Sequence, residues 1–435
     1  MDVPHHNVVT HRPSVSPPPV ERALLDELIG PRDGAGKTAV VAMSGGVDSA
    51  VTALIMRERG YRVVGMNLRL FSPGDPEHAV NPCCGIPAMD DARATCRAIG
   101  VPFYAINMEV EFGAAVVDRF VDEYAAGRTP NPCLECNRHV KFRHLVQRAK
   151  ALGADCLATG HYARIEHADH AGDEGGQGRP PLRPAEHTGE RGRSQGRPGE
   201  GVGHRLLRAM DERKDQSYVL HTLDQAQLAF LRFPLGNLTK PRVRELARAF
   251  GLPVADKAES QEICFVGKGS YADFVARRRP DVTRPGEIVD AAGTVVGEHR
   301  GLVHHTVGQR RGIRVAGPRP LYVLELATAT NRLVVGERAD AVARGMRAEG
   351  VAMVDGSLPA DPFACDVVVR YRGQPTPAWV RLDPAEAGTA GIALTGDPAG
   401  WPIASPGQAV VFYRGDEVLG GGTIRSVERV AQGAT

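Results

Sequence analysis

Short apolar runs alternate with longer helical patterns through the first third of the chain. The runs predict buried strands at residues 38–41, 62–70, 102–107 and 155–159. The segments between them predict helices at residues 50–60, 88–99, 111–126 and 138–152. Because strands that alternate with helices form parallel sheets covered on both faces, we predict an α/β fold with a doubly wound parallel sheet. Its ligands are expected beyond the C-terminal ends of the strands.

The pattern changes after about residue 280. Gly/Pro turns then separate short β-rich runs, which lie at residues 286–289, 321–324, 332–335, 365–371, 409–413 and 422–424. Strands at this spacing are typical of small barrels or sandwiches. We therefore predict a catalytic domain at residues 38–279, a central β-rich domain at 280–346 and a C-terminal β-barrel at 347–435.

Two segments show no such periodicity. Residues 1–37 contain many prolines and histidines, and residues from about 168 to 203 are rich in Gly, Pro, Arg and Glu. Such compositions do not bury enough apolar surface to fold, so we predict a disordered N-terminal extension and a disordered insertion in a surface loop. Order resumes with a strand at 204–209 and with helices at 224–231 and 240–250, the second capped by Thr239.

Composition and charge narrow the picture only a little. The chain is 42% hydrophobic and 24% charged, as in ordinary globular proteins. No apolar run reaches the length of a membrane span and no secretory signal is evident, so we expect a cytoplasmic protein without a membrane partner. The net charge of +2 neither demands nor excludes nucleic acid. The eight cysteines suggest catalysis, metal binding or burial rather than a disulfide framework.

One stretch ends the first predicted strand and opens the first helix: Ala42-Met43-Ser44-Gly45-Gly46-Val47-Asp48-Ser49. A Gly/Ser-rich turn at this place presents free backbone N–H groups and the positive end of a helix, which together bind anions, above all phosphate. The two glycines let the backbone approach a phosphate closely, and the serines add donors. Asp48 is unexpected in an anion site, so we interpret it as a ligand of Mg²⁺ or as a residue that orients the loop.

A second stretch carries sulfur. Thr129-Pro130-Asn131-Pro132-Cys133-Leu134-Glu135-Cys136-Asn137 joins a rigid proline turn to a Cys-x-x-Cys. Cys136 is predicted to open the next helix, where the helix dipole favours a thiolate. Cys264 lies far along the chain, among apolar neighbours. Taken alone, the Cys-x-x-Cys is compatible with a redox pair, a metal site or coincidence.

Together these motifs resemble those of the tRNA-specific 2-thiouridylase family, within the PP-loop ATP pyrophosphatases. The resemblance rests on residues 42–49, on T-P-N-P-x-x-x-C-N at 129–137, A-T-G-H-Y at 158–162, K-D-Q-S-Y at 214–218 and E-I-C-F-V-G at 262–267. G-E-H-R-G at 297–301, T-V-G-Q-R-R-G at 306–312 and V-R-Y-R at 369–372 add to it. It covers residues 38–424 and leaves out the N-terminal extension and the insertion.

The resemblance implies that ATP and Mg²⁺ serve to replace the C2 oxygen of the wobble uridine of a tRNA by sulfur. Attack of that oxygen on the α-phosphate of ATP turns a poor leaving group into an AMP ester that leaves easily. By the family's pattern, Cys264 carries a persulfide, and Cys136 releases its sulfur by forming a disulfide with Cys264. The implied partners are tRNA and a persulfide sulfur donor, a cysteine desulfurase or a relay protein. We expect a monomer.

The resemblance also assigns roles to single positions. The ATP site takes in residues 42–49, Leu68 and Gly160, and the target base lies against Asn131, Pro132 and Cys133. Other tRNA contacts are assigned to His161, Lys214, Asp215, Gln216, Arg370, Tyr371, Arg372 and Gln408. Several have plainer interpretations, namely packing for Leu68 and His161, a surface ion pair for Lys214 and Asp215, and a solvated strand face for Arg370 and Arg372.

One position departs from the family's pattern. Cys133 stands where many members carry Asp, three residues before the first active cysteine. With Cys136 and Cys264 it offers three thiolates, which would suit a [4Fe–4S] cluster whose open iron holds hydrosulfide. The persulfide route and the cluster route both stay open, because Cys-x-x-Cys signals both redox and metal chemistry.

Two further classes of function compete with thiolation. Another PP-loop adenylating enzyme, such as a tRNA-lysidine synthase, would not need the 129–137 motif with a distant cysteine. A non-catalytic RNA-binding protein is disfavoured by the intact loop at 42–49. Among the other cysteines, Cys96 and Cys156 are predicted to be buried, whereas Cys83 and Cys84 follow the second strand at the site end of the sheet.

Overall fold

The computed structural model describes residues 28–71, 86–167, 203–259, 263–266, 269–315 and 319–429. Most of the predicted N-terminal extension, the insertion, and Cys83 with Cys84 lie outside these residues. The chain divides into two compact units. Unit 1 comprises residues 1–113, 140–162 and 230–268, and unit 2 comprises residues 114–139, 163–229 and 269–435. Among the described helices, none has the length and hydropathy that a bilayer crossing requires.

The described strands, in chain order, are β1 (Thr38–Ala42), β2 (Arg62–Arg69), β3 (Phe103–Asn107), β4 (Cys156–Ala158), β5 (Arg164–Glu166), β6 (Arg205–Leu207), β7 (Leu231–Arg232), β8 (Gly286–Asp290), β9 (Val295–His299), β10 (Tyr322–Ala327), β11 (Arg332–Gly336), β12 (Ala343–Met353), β13 (Phe363–Val368), β14 (Thr376–Leu382), β15 (Ala390–Leu394), β16 (Ala409–Arg414) and β17 (Glu417–Arg429). The described α-helices are α1 (Val47–Glu58), α2 (Ile86–Ala98), α3 (Glu109–Phe112), α4 (Arg119–Ala125), α5 (Pro132–Glu135), α6 (Phe142–Ala151), α7 (Gln225–Phe230), α8 (Lys240–Ala249), α9 (Tyr271–Arg278) and α10 (Arg338–Ala341). Segments of π-helix span Gly113–Asp118 and Cys136–Lys141, and 3₁₀ turns span Ser217–Val219, Pro280–Thr283, Leu302–His304 and Pro398–Gly400.

Unit 1 contains a five-stranded parallel sheet in the order β3-β2-β1-β4-β7. Val40 on the central strand pairs with Val64 on one side and with Leu157 on the other. The chain builds the sheet outward from β1 in one direction and then in the other. A crevice forms at the C-terminal end of the strand where the order reverses, and this is where α/β proteins bind ligands. The predicted doubly wound sheet is confirmed.

The predicted helix at residues 111–126 is interrupted in the structure. It consists of α3, the π-helical segment Gly113–Asp118 and α4. Apolar residues spaced four apart rotate gradually around an α-helix, because four residues are more than one α turn. A π turn contains more residues and so returns them to the same face. The four apolar positions of the predicted face are therefore all buried: Phe112, Val116, Phe120 and Tyr124.

Unit 2 is rich in antiparallel strands. Six of them form a closed barrel in the order β12-β15-β14-β13-β16-β17, in which β17 pairs back with β12, and β6 and β5 continue from β17. The barrel core is filled by alternate residues of these strands, including Val367, Val380, Val410 and Phe412. A second sheet has the order β10-β11-β8-β9. The predicted change to β-rich structure with a C-terminal barrel is confirmed, whereas the exact domain bounds stay predictions.

One local prediction is wrong, and another is confirmed in position only. The strand predicted at residues 365–371 ends with β13 at Val368, so Arg370–Arg372 lie in the turn that follows. Arg372 has a φ of 57°, which no strand allows. Thr239 stands at the N-cap of α8, but its side chain makes no cap hydrogen bond. Pro241 in the first turn of α8 lacks an N–H group, which leaves fewer donors to cap.

Candidate functional site

The predicted phosphate loop joins β1 to α1 at the C-terminal edge of the parallel sheet in unit 1. Ser49 Oγ accepts a hydrogen bond from Ser44 N (3.1 Å), lies 3.2 Å from Ser44 Oγ and donates to Gly46 O (3.0 Å). The buried Asn67 of β2 donates to Met43 O (2.6 Å). The path of the loop is therefore determined by its own serines and by the neighbouring strand.

Glycine is required at two positions by close backbone approach. Gly45 has a φ of 75°, and a Cβ there would lie 2.0 Å from Ala88 O of α2. A Cβ at Gly160, just after β4, would lie 2.9 Å from the carbonyl carbon of Asp48. Gly46 differs, since its Cβ would meet only Ser44 Oγ at 3.6 Å. The open side of the loop is thus at Gly46.

The start of α1 suits an anionic ligand. Its N-cap is Gly46, and no side chain makes a cap hydrogen bond. The first N–H groups of such a helix need an acceptor, and the positive end of the helix dipole favours an anionic one. Phosphate oxygens of a nucleotide meet both requirements.

Asp48 is held by two residues from elsewhere in unit 1. Its Oδ1 accepts hydrogen bonds from Tyr162 Oη (2.8 Å) and Lys240 Nζ (2.6 Å). Lys240 is 7% exposed and also pairs with Glu259 Oε1 (3.0 Å). A buried ammonium needs carboxylate partners because its desolvation is costly. This geometry favours the interpretation that Asp48 orients the loop.

Lys257 brings a second ammonium group to the loop. Its Nζ donates to Gly45 O (3.0 Å) and to Asp91 Oδ2 (2.6 Å). Lys240 and Lys257 add positive potential where a phosphate would bind. We did not predict either lysine from the sequence. Lys240 was treated only as the start of a helix, and no local spacing indicates that either side chain reaches the loop.

Two residues assigned near this loop have structural contacts of their own. His161 Nδ1 lies 2.7 Å from Thr159 Oγ1, and its ring packs near the rings of Phe142 and Phe233. Burial, with a smaller effect of the Lys141 charge, lowers the pKa of His161 to about 3, so the ring is neutral at pH 7. These contacts favour packing for His161. Its tRNA contact and the place of the half-buried Leu68 in an ATP site stay predictions.

The Cys-x-x-Cys segment lies in unit 2. Asn131 caps α5, because its Oδ1 accepts a hydrogen bond from Leu134 N (3.3 Å). Cys133 stands in the first turn of α5 and is exposed, whereas Cys136 follows α5 and is 5% exposed. The prediction that Cys136 opens a helix is therefore wrong. The helix begins at Pro132, since Asn131 and Pro132 supply the cap and the first position.

The N-terminal side of this segment is held by the barrel. Thr129 N donates to Pro406 O (2.8 Å), and Ser405 Oγ donates to Thr129 Oγ1 (3.0 Å). Gln408 Nε2 donates to Thr129 O (2.8 Å). A Cβ at Gly407 would lie 2.9 Å from Thr129 N. Gln408 therefore positions the segment that carries the predicted base contacts, a role the sequence does not reveal.

The C-terminal side of the segment is held by a buried amide. Asn137 is 1% exposed, and its Nδ2 donates to Val219 O (3.0 Å). Glu135 is also buried, and its Oε2 lies 3.4 Å from Arg119 Nη1 and 3.3 Å from His139 Nε2. Both cysteines thus lie on a stretch that is anchored at each end.

Cys264 lies in unit 1, in the turn formed by residues 263–266. Val266 N donates to Ile263 O (3.1 Å) within this turn. Phe265 is fully buried and packs edge-on against Phe112, with ring centroids 5.8 Å apart. The Cys264 side chain itself is half-buried. Its buried neighbours anchor the turn and leave the thiol partly accessible.

The described residues offer no ligand set for a metal. Across the ranges that the structure covers, no group of three or more His, Cys, Asp or Glu side chains could hold a metal ion. The iron–sulfur hypothesis for Cys133, Cys136 and Cys264 is therefore not supported.

The remaining described cysteines are inert by environment. Cys96 and Cys156 are buried, as predicted, and burial raises the pKa of their thiols to about 12 and about 11. Cys365 packs against the barrel core, and burial raises the pKa of its thiol to about 12. Neutral thiols at pH 7 are poor nucleophiles.

Two of the groups predicted to contact tRNA are neighbours in unit 2. Arg372 Nη2 donates to Arg213 O (2.8 Å), so the turn at residues 370–372 lies beside the segment at 214–216. Arg370 and Tyr371 are exposed, and the Arg372 guanidinium lies 5.2 Å from the Tyr371 ring centroid. An exposed arginine next to an exposed aromatic ring suits a nucleic-acid surface.

Asp215 has a structural role within that neighbourhood. Its Oδ1 accepts from Ala209 N (3.0 Å), and its Oδ2 accepts from Ser217 Oγ (2.8 Å). Arg208 Nη1 lies 3.6 Å from Oδ2. The interpretation of Asp215 as half of a surface ion pair with Lys214 is therefore not what the structure records. The carboxylate shapes the turn that presents Lys214 and Gln216.

The sheet and the loop between β1 and α1 define the class of protein: a PP-loop α/β domain followed by β-rich domains, one of them a closed barrel. A family model described as tRNA methyl transferase HUP domain matches residues 37–268. Models described as tRNA methyl transferase PRC-barrel domain and as aminomethyltransferase beta-barrel domain match residues 272–337 and 343–424.

The relatives identify the family within this class. The tRNA-specific 2-thiouridylase MnmA of Roseiflexus sp. (strain RS-1) is 44% identical over 387 residues, which cover 88% of this chain and 98% of that protein. The protein of the same name from Geobacter metallireducens is 45% identical over 395 residues, which cover 90% and 97%. The chain belongs to the tRNA-specific 2-thiouridylase family.

One of the solved structures with a similar fold contains an iron–sulfur cluster. The U34-tRNA thiolase NcsA from Methanococcus maripaludis with its [4Fe–4S] cluster is 14% identical, over 60% of this chain and 71% of that chain, with a TM-score of 0.31. A likeness this weak carries no argument for a cluster in the present protein.

Proposed function

We propose that this protein is a tRNA-uridine 2-sulfurtransferase, which cleaves ATP to AMP and diphosphate and replaces the C2 oxygen of the wobble uridine by sulfur. The observation that carries the proposal is a phosphate loop whose following helix, α1, has no side-chain cap, in a chain that also anchors the segment of Cys136 at Thr129 and at Asn137. Relatives that are 44–45% identical over nearly their whole length are named for this activity.

The phosphate loop serves the first half of the reaction. The C2 oxygen attacks the α-phosphate of ATP, diphosphate leaves, and the oxygen becomes part of an AMP ester. The N–H groups at the start of α1 and the ammonium groups of Lys240 and Lys257 stabilise charge that develops on the phosphates. Mg²⁺, when bound with the nucleotide, supplies further charge neutralisation. It binds such sites through phosphates and one or two carboxylates, and Asp48, besides orienting the loop, would be the carboxylate that holds it here.

The cysteines serve the second half. Cys264, half-buried on its anchored turn, receives a sulfur atom as a persulfide from a donor protein. The Cys136 thiolate attacks the inner sulfur of that persulfide, which forms the Cys136–Cys264 disulfide and releases the outer sulfur as hydrosulfide. Hydrosulfide adds to C2 and AMP leaves with its oxygen. A dithiol then supplies two electrons and two protons to restore both thiols.

The neighbouring residues position the tRNA. We propose that Asn131, Pro132 and Cys133 contact the target base, held in place by Gln408 behind them. Lys214, Gln216, Arg370 and Tyr371 are proposed to contact other parts of the tRNA. The sulfur donor is a cysteine desulfurase or a relay protein, and the enzyme acts as a monomer in the cytoplasm, where its tRNA substrate and ATP are found.

Methyl transfer, which the family descriptions name, explains less of the molecule. It requires neither a sulfur nucleophile nor cleavage of ATP to AMP. Cys136, Cys264 and the phosphate loop would then have no role in the reaction. Sulfur transfer uses all three.

The test is reconstitution with the purified full-length protein, ATP, Mg²⁺, unmodified tRNA and a small-molecule persulfide, under strictly iron-free conditions. We expect one AMP for each 2-thiouridine, read by nucleotide chromatography and nucleoside mass spectrometry. Cys136→Ser and Cys264→Ser should each abolish 2-thiouridine.

Cys133→Ser distinguishes the two routes, because serine keeps nearly the size of this proposed base contact but is a poor ligand for iron. Sulfur transfer should fall only in part if the persulfide route operates, whereas a cluster route would lose it. Thiolation by Cys136→Ser, or activity that appears only after iron and sulfide are added, would overturn the proposed mechanism.

A further inference from the structure

A stretch of unit 2 that includes T-V-G-Q-R-R-G has no role in the proposed reaction. From residue 299 to residue 324 the chain contains no Asp or Glu but five arginines: Arg300, Arg310, Arg311, Arg314 and Arg319. The net charge of the whole chain is only +2, so this is a marked local excess of positive charge. Such an excess attracts polyanions. We refer to residues 310–315 as the arginine loop.

The arginines of this loop differ from three exposed arginines of unit 2 that form ion pairs. Arg332 pairs with Glu287 (2.8 Å), Arg347 with Asp383 (3.0 Å) and Arg425 with Glu386 (2.9 Å). Within the part of the chain that the structure describes, Arg310, Arg311 and Arg314 form no ion pair. Their charge is therefore left to be neutralised by solvent ions or by a ligand.

The arginine loop is anchored rather than loosely attached. Ile313 is 5% exposed and packs in the core of the four-stranded sheet. Gly308 N donates to Val323 O (2.8 Å), Val323 N donates to Gln309 O (2.9 Å), and Gln309 Nε2 donates to Arg311 O (2.7 Å). The first two bonds join the residues just before the loop to β10, and the third joins Gln309 to Arg311 within the turn. The guanidinium groups are consequently presented from a fixed backbone.

The backbone at Arg314 is also unusual. Its φ is 62°, in the left-handed region that non-glycine residues seldom adopt, and Gly312 has a φ of 81°. The buried Ile313 lies between them, so the two turns allow its side chain to enter the core while its neighbours stay exposed. Residues in sparsely populated conformations persist where the surroundings hold them, and they cluster at ligand sites.

The arginines surround a concave surface. Arg310, Arg311, Arg314 and Arg319 line a cavity of about 560 Å³ with Gly312 and Leu321, and none of the described residues in its wall is acidic. Arg319 is neutralised by Glu337 (2.9 Å), which leaves three unpaired guanidinium groups around the cavity. A guanidinium binds phosphate through two parallel hydrogen bonds.

We propose that the arginine loop is a docking site for the phosphate backbone of RNA, and that it forms part of the tRNA-binding surface. The proposal rests on the proposed function for the identity of the RNA. We propose contact with the phosphate backbone rather than with the bases. The three guanidinium groups have no hydrogen-bonded neighbour that orients them, so they supply positive charge and not a base-specific pattern of donors. The loop then adds affinity for any tRNA, and specificity comes from elsewhere.

The test compares four full-length proteins in their affinity for fluorescently labelled unmodified tRNA over a series of salt concentrations. They are the wild type, a triple variant with Arg310→Gln, Arg311→Gln and Arg314→Gln, the same triple variant to Lys, and Arg332→Gln. The triple Gln variant should bind at least about 10-fold more weakly, and its log Kd against log salt should be less steep by about 2. The triple Lys variant should keep the wild-type salt dependence and bind more tightly than the triple Gln variant, since an ammonium also neutralises a phosphate although it lacks the two parallel hydrogen bonds of a guanidinium. Arg332→Gln, which removes an exposed but paired arginine from the same sheet, should bind like the wild type.

Three results would overturn the inference. The first is wild-type affinity and salt dependence in the triple Gln variant. The second is a triple Lys variant as weak as the triple Gln variant, which would assign the arginines a structural or base-specific role. The third is equal weakening by Arg332→Gln, which would indicate a general effect of net charge. Thermal unfolding of each variant establishes that it is folded.

The outcome is separable from that of the proposed function. If the wild type makes 2-thiouridine and the triple Gln variant binds tRNA normally, the function stands and the docking site is wrong. If tRNA binding depends on the three arginines but no 2-thiouridine forms, the docking site stands and the function is wrong. The triple Gln variant should raise the KM for tRNA, because the loop contributes to substrate binding.

Discussion

The phosphate loop of unit 1 and the cysteine segment of unit 2 are held in opposite ways. Within the loop, Ser44, Gly46 and Ser49 bond to one another over at most five positions in the chain. The segment at residues 129–137 is instead held by Ser405 and Gln408, more than 270 residues away, and by Val219. The phosphate loop is shaped mainly by bonds among its own residues, whereas the cysteine segment is held by residues distant in the chain.

This difference explains why the sequence reveals the geometry of the loop better than that of the cysteine segment. A loop whose contacts are internal carries its geometry in consecutive letters, so its type can be recognised from the sequence. A segment held by distant partners shows only that cysteines and prolines are present. The exceptions in the loop are Met43, Gly45 and Asp48, which are bound by Asn67, Lys257 and Lys240 at separations of 24, 212 and 192 residues.

The largest effect should come from Gly45→Ala, which disturbs the backbone conformation of the loop and its close approach to Ala88 of α2. The added Cβ would lie 2.0 Å from a backbone oxygen and would force a φ of 75° on alanine. We expect about 4 kcal/mol or more of destabilisation, measured by chemical denaturation. Gly46→Ala is the matched control, since its φ of −100° suits alanine and its Cβ has room. Equal losses in both variants would show that the loop is not shaped by the close approach at Gly45.

The second-largest effect should come from Lys240→Met, which removes the long-range ion pair between Lys240 and Asp48 of the loop. Removing the buried ammonium leaves Asp48 and Glu259 without their shared cation, and we expect a loss of about 3 kcal/mol. Lys257→Met removes a more exposed ammonium from the same loop and should cost less than about 1 kcal/mol. Denaturant midpoints measure both. A larger loss for Lys257→Met would reverse our ranking of the two lysines.

A pH titration probes the anchor of the cysteine segment. His221 is 2% exposed and follows the turn whose Val219 O binds Asn137. Burial is the main reason that its pKa falls to about 4, and the Arg138 charge adds to the effect. In the folded state the ring is held in its neutral form. The free energy of unfolding therefore has its full value above pH 6.5, declines as the pH falls and levels off below about pH 4.

The contribution of His221 is at most about 3 kcal/mol at pH 4. His221→Gln should flatten the decline of the unfolding free energy between pH 6.5 and pH 4, followed by denaturation at each pH. An unchanged slope would assign the acid sensitivity to other groups, of which His161 in unit 1 is the first candidate.

The smallest effect should come from Gln408→Ala. It removes the hydrogen bond to Thr129 O, for which we expect about 1 kcal/mol. Thiolation should fall while ATP affinity is unchanged, because the phosphate loop does not depend on this contact. Gln374→Ala, at an exposed glutamine of the same unit, is the control for both readouts. A change in ATP affinity would show that the two regions are not independent.

Several site predictions failed for one physical reason. Cys136 was placed at the start of a helix from its position after prolines, but Asn131 and Pro132 start the helix earlier. Arg370 and Arg372 were placed on a strand from the apolar run before them, yet the run ends at Val368. In each case the pattern identified the element correctly but not its end. Element ends depend on caps and turns that tertiary contacts stabilise.

The sequence by itself determined the parallel α/β sheet, the change to β structure and the chemistry of the phosphate loop. These follow from hydrophobic periodicity and from consecutive residues, whose effects act over a few positions. Only the tertiary structure placed Lys240 and Lys257 at the loop, Gln408 behind Thr129, and three unpaired guanidinium groups around one cavity. The first three of these contacts span 192, 212 and 279 residues, and no local pattern records which distant side chains will meet.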